Sequence, residues 1–156
     1  MKKTLLALSV LLLPLAVQAA VSVEWVSPEN FRDAYSSSVK SDKSRQVILD
    51  DLQKFIEAQA SAKLTEGQNL KIRVTDVDLA GEFEPWSQNS NVRMIRDTYF
   101  ARIVFDYELS DASGAIVKQG NVKLVNDLLS KPGMPDKDEL TPYLRDSLRV
   151  WFNANL

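Results

Sequence analysis

The chain has no cysteine and no histidine among its 156 residues. Without cysteine there is no disulfide, no thiolate nucleophile and no acceptor for the lipid of a bacterial lipoprotein. Without histidine the commonest general base at neutral pH and the commonest nitrogen ligand for zinc, copper or iron are both missing. Ser–His and Cys–His dyads and soft-metal sites are therefore excluded. Carboxylate, lysine, tyrosine and serine chemistry remains open. A long basic block is absent too, and the net charge is −2. Nucleic acid and anionic membrane surfaces are accordingly not expected partners. No apolar run reaches the roughly 20 residues a membrane-spanning helix needs.

What the chain does have begins at Met1. Lys2 and Lys3 precede an apolar run from Leu5 to Val17, and small residues follow at Ala19 and Ala20. This is the layout of a secretory signal peptide, with cleavage expected after Ala19. The expected compartment is the periplasm, with passage beyond it open. Residues 20–156 then form one domain, large enough to bury roughly two-thirds of its unfolded surface. Losing Lys2 and Lys3 leaves that domain more acidic than the whole chain.

Val21, Val23 and Trp25 alternate with polar residues and predict a first strand, ended at Ser27-Pro28. Residues 31–43 read as an irregular connector. Ile48, Leu52, Phe55, Ile56 and Ala62 recur at helical spacing and predict a helix over 44–64, with Gly67 in the turn beyond it. Leu70–Leu79 reads as a strand whose apolar parity switches after Val74, the mark of a bulge near Thr75-Asp76. Tyr99–Leu109 alternates throughout. Asp111–Gly114 is a hairpin turn, and the returning strand covers 115–125. Residues 131–136 read as a mobile Pro/Gly loop. Thr141-Pro142 opens a last helix, threonine as N-cap and proline at its first position, with Leu144, Leu148, Trp151 and Phe152 on its apolar stripe. The expected architecture is α+β: a two-layer sandwich in the order β-α-β-β-β-α. Its central sheet is expected to be antiparallel, with two helices on one face. Trp25 and Trp151 are expected in the core.

The segments VSVEWVSPENF (21–31) and TDVDLAGEFEPW (75–86) resemble the bacterial family called domain of unknown function 3016. The hairpin region 93–114 and the closing helix near Trp151 share the likeness. The resemblance implies a secreted or periplasmic protein and no assigned activity. The arrangement is also similar to small periplasmic accessory domains, including lipoprotein activators, whose anchor cysteine this chain lacks. That likeness is fold-level analogy.

Chemistry gathers after the second strand. Asp76, Asp78, Glu82 and Glu84 could supply three or four oxygens to calcium, Gly81 turning the later pair back toward the earlier one. The spacing is not that of an EF-hand. The bland alternative has Asp76 and Asp78 capping turns or pairing with Arg73, Arg93 or Arg96. A carboxylate pair could also serve glycoside hydrolysis, although a domain this small has little room for the cleft. Phe83 and Trp86 beside these charges fit an interface anchor. The competing and slightly favoured reading folds Trp86 back onto the core. Arg93, Arg96 and Arg102, with Asp97, read as solvated charges or ion pairs worth under about 1 kcal/mol each. The leading expectation is a non-enzymatic binding domain that meets an envelope protein through Asp78, Glu82, Phe83, Glu84, Trp86, Arg93 and Arg96. A calcium or small-ligand module is the alternative, and a two-carboxylate hydrolase stands third.

Overall fold

A computed structural model describes residues 18–96, 98–126 and 140–156. Four strands build the main sheet: β1 (Ala20–Trp25), β2 (Asn69–Asp78) and, after the short strands β3 (Glu82–Phe83) and β4 (Arg93–Met94), β5 (Ala101–Ser110) and β6 (Ile116–Asn126). Helix α1 (Asp42–Ser61) lies between β1 and β2, and α2 (Pro142–Asn155) closes the chain. The sheet order is β1-β2-β5-β6, while β3 and β4 form a separate ribbon. The signal-peptide run up to Val17, Asp97 and the predicted loop at 131–136 lie outside the described residues.

The α+β class holds, and the main elements follow the expected order with the ribbon inserted between β2 and β5. One feature of the sheet is corrected. β1 runs parallel to β2, whereas β2–β5 and β5–β6 are antiparallel, so the sheet is mixed. The reason lies in the connection: a helix between two neighbouring strands is the crossover that parallel pairing requires. The register of β2 against β5 slips between Val74 and Asp76, where the apolar parity changes. On one side of that bulge Leu70, Ile72 and Val74 face the core; on the other, Val77 does.

Both helices cover the same face of the sheet. Ile48, Leu52 and Ile56 of α1 and Leu144, Leu148 and Phe152 of α2 join Ile72, Val77, Ile103 and Phe105 in one cluster. Trp151 meets Phe105, Tyr107 and Phe152 edge-on, with ring centroids 5.0–5.2 Å apart, a preferred geometry for aromatic pairs. Trp25 is only half-buried, because β1 is an edge strand; its ring lies edge-on to Phe31 and its indole N–H donates to Gln53 Oε1 at 3.3 Å.

Helix α1 starts earlier than the sequence suggests. Ser41 caps it, and Ser41 and Ser44 exchange side-chain-to-backbone hydrogen bonds in a capping box. Thr141 stands at the N-cap of α2 as expected, but its hydroxyl caps nothing there. It donates instead to Asp51 Oδ2 of α1 at 2.6 Å, and Arg145 binds the other oxygen of the same carboxylate. The two helices are thereby latched together at their polar margin. In the β5–β6 hairpin, Gly114 has φ +84°, and the Asp111 carboxylate accepts from the backbone N–H groups of Ser113 and Ala115.

A braced ribbon and an exposed tryptophan

The segment between β2 and β5 leaves the sheet at Leu79 and folds into the β3–β4 ribbon. Gly81 makes the turn possible. Its φ is +79°, and a Cβ there would stand 2.5 Å from Ile95 Cδ1 and 2.6 Å from the Met94 carbonyl oxygen. Only glycine fits that approach.

Arg93 ties the ribbon to the rest of the fold. Its guanidinium donates to Asp33 Oδ2 and to the Gly81 carbonyl, each at 2.7 Å, and to the Tyr35 carbonyl at 2.8 Å. Its plane also lies over the Phe83 ring, 4.5 Å from the centroid. Asp33 belongs to the segment read from sequence as an irregular connector. It is held in turn by backbone bonds, its N–H to the Val77 carbonyl and its carbonyl to the Leu79 N–H. Sequence reasoning missed Asp33 and Tyr35, since nothing local to either one signals a partner 58–60 residues away.

Glu84 is buried at 2% exposure. Arg96 grips it with two parallel bonds, Nε to Oε1 at 2.6 Å and Nη2 to Oε2 at 2.8 Å, and the Tyr99 hydroxyl donates at 3.3 Å. The Arg96 hydrogen bond holds the Glu84 carboxyl below the usual range against the opposing effect of burial. Burial and the bond to Glu84 together raise the Tyr99 phenol. A carboxylate so committed is a structural anchor.

Asp76 and Asp78 share a different cation. Arg102 Nη2 lies 3.1 Å from an oxygen of each, and the Arg32 N–H donates to Asp76 at 3.1 Å. Burial raises the Asp78 carboxyl and outweighs Arg102, and the neighbouring Asp33 and Asp76 add to the rise. Asp78 and Glu82 line a cleft of about 360 Å³ with Arg32, Phe100, Arg102 and Lys123. The four acids of the calcium reading are thus divided, with Glu84 on Arg96 and Asp76 and Asp78 on Arg102. Among the described residues no three carboxylates stand close enough to hold a metal ion. Arg93 and Arg102 are also more than solvated charges, their side chains only 18% and 15% exposed.

The tip carried by this frame is the opposite of buried. Trp86 is 75% exposed, so the slightly favoured core reading is overturned. Residues Pro85–Val92 contain no charged side chain, and Val92 and Ile95 are also exposed. Glu84 and Arg93 turn inward to brace the loop, Arg96 closes over Glu84 from the surface, and Glu82 stays exposed beside the aromatic and the neutral amides of the tip.

The family model described as Protein of unknown function (DUF3016) matches residues 19–154. The chain belongs to that family. No curated protein matches it. Solved structures with a similar arrangement include a PelC dodecamer from Paraburkholderia phytofirmans, 12% identical, covering 86% of this chain and 85% of that one, with a TM-score of 0.39. A minor lipoprotein from Acinetobacter baumannii is 8% identical over 89% of this chain and 88% of that one, with a TM-score of 0.34. A further uncharacterized protein is 14% identical over 90% and 91%, with a TM-score of 0.38. Among the described residues of this family member, no helix is long and apolar enough to cross a membrane.

Proposed function

We propose that this family member is a non-enzymatic binding domain of the bacterial envelope, with its contact centred on the Asp78–Trp86 loop. The observation that carries the reading is Trp86 itself, 75% exposed on a loop whose flanks are pinned by Arg93–Asp33 and Arg96–Glu84. A large apolar side chain left in water costs the free protein an opportunity for burial that a partner can supply. A rigid presentation limits the ordering cost of binding. Trp86 is the anchor, and Phe83, under Arg93, props the loop from behind. Glu82, an exposed carboxylate without an ion pair among the described residues, sets register and on-rate. The export expected from residues 1–19 places the partner in the envelope.

Replacing Trp86 by alanine tests this directly. The variant should unfold within about 0.5 kcal/mol of the parent, as exposed positions do, and should lose partner affinity by about 30-fold or more, as an interface anchor does. Unchanged capture of the partner by the variant would remove the loop from the interface.

A further inference from the structure

The described residues leave the outer edge of β6 unpaired, since β6 ends the strand order β1-β2-β5-β6. At 11 residues it is long for an edge strand. It contains no proline, and its guards against indiscriminate pairing are its two lysines, which an acidic strand would neutralise. A bulge between the partners of Leu109 and Ser110 disturbs its start, so the regular stretch runs from Lys118 to Asn126. An edge of this kind offers a row of backbone donors and acceptors to an extended chain.

Charge selects the occupant. The strand carries Lys118 and Lys123 and no acid, although the protein as a whole is acidic. Lys118 bonds only to neutral oxygens of Asn155, on the helix side. Lys123 has no hydrogen bond or ion pair among the described residues and lines the cleft on the open face with Phe100 and Val125. Val125 is 50% exposed and Phe100 44%. A second copy pairing edge to edge would bring four lysines and no carboxylate to one seam, and like charges across strands repel.

We propose that β6 receives an acidic, extended segment of another protein as an added antiparallel strand. Lys118 and Lys123 are five residues apart and so lie on opposite faces of the sheet. The matching segment therefore reads apolar-x-acid-x-x-x-x-acid from its N-terminus. Its apolar residue lies opposite Val125 and beside Phe100, and its two acids lie opposite Lys123 and Lys118. This surface adjoins the Trp86 loop, since Asp78 and Glu82 line the same cleft as Phe100, Lys123 and Val125, but Trp86 lies outside that cleft. Trp86→Ala should therefore leave peptide binding at β6 unchanged, so the two proposals fail separately.

The test uses the capped octapeptide Ile-Thr-Glu-Thr-Thr-Thr-Thr-Glu, titrated into the isotopically labelled protein and followed by backbone amide shifts. The largest shifts should fall in Lys118–Asn126. Lys123→Glu should weaken binding by about tenfold, and a peptide with lysine in place of the first glutamate only, the one opposite position 123, should recover binding to that variant. Lys123→Gln, which adds no new charge, should give an intermediate loss and guards against a folding artefact. Absence of shifts in β6, equal affinity for acidic and basic peptides, or protection from exchange without peptide at the outward β6 amides, those not bonded to β5, would each overturn the proposal. Concentration-dependent self-association through β6 would overturn it as well, by naming a second copy as the occupant.

Discussion

Arg93→Ala is the perturbation that most sharply separates a braced loop from a loose one. The guanidinium makes two bonds to the Asp33 carboxylate and one each to the Gly81 and Tyr35 carbonyls, and it stacks on Phe83. Removing one partner of a buried ion pair costs about 3–5 kcal/mol. Here the two side chains keep 18% and 16% exposure, so water partly rescues Asp33 and the lower end applies. The lost cation–π contact contributes up to about 1 kcal/mol, and water entering at the two carbonyls offsets a similar amount. The net expectation is a loss of about 3 kcal/mol. Arg93→Lys keeps the charge but not the fork, so it should recover about half of that loss. Urea unfolding followed by tryptophan fluorescence gives the global value, and amide exchange over 79–94 locates it. A loss under about 0.5 kcal/mol, the range of an unremarkable surface site, with unchanged exchange in the ribbon would refute the bracing.

Gly81→Ala should cost at least about 2 kcal/mol, because positive φ adds about 1–2 kcal/mol to a Cβ placed 2.6 Å from the Met94 carbonyl oxygen. Gly114→Ala is the control: φ is +84° but nothing lies within 4 Å of its Cβ, so urea unfolding should show the conformational cost alone. The pH dependence of stability should carry two opposed contributions. The Glu84 carboxyl is held low in the folded state, so its contribution is complete above the unfolded pKa and vanishes as pH falls through the folded one. The Asp78 carboxyl is held high, so its ionisation disfavours the fold at neutral pH, and that penalty fades as pH falls through its folded pKa. Glu84→Gln should therefore flatten the acid loss of stability, and Asp78→Asn should steepen it. Identical pH profiles for parent and both variants would contradict the assignments.

The elements with strong local periodicity were legible in the sequence. Alternation gave β5, helical spacing gave α1 and α2, and a parity change placed the β2 bulge within a residue or two. The parallel β1–β2 pair had a signal as well, a helix between the strands, but alternation alone does not report strand direction. Contacts across long separations left no trace. Asp33 sits in a stretch without periodicity and finds its role only when Arg93 arrives from 60 residues away. The acids between Asp76 and Glu84 stood out in the sequence, but their partners did not. Asp76, Asp78 and Glu84 have the composition of a calcium loop, yet each is bound to an arginine, which sequence spacing could not show. Thr141 marked a helix start correctly while its hydroxyl served another helix. The core reading slightly favoured for Trp86 failed because an aromatic in a loop carries no local signal that separates core from surface.

The central claim is that Trp86 is held out for a partner. The most direct measurement is photocrosslinking in the native periplasm, with a photoreactive residue at Trp86 in one strain and at the exposed α1 position Lys54 in another. Position 86 should give one discrete adduct, and position 54 none of that size. No specific adduct at 86, or the same products at both positions, would contradict the claim.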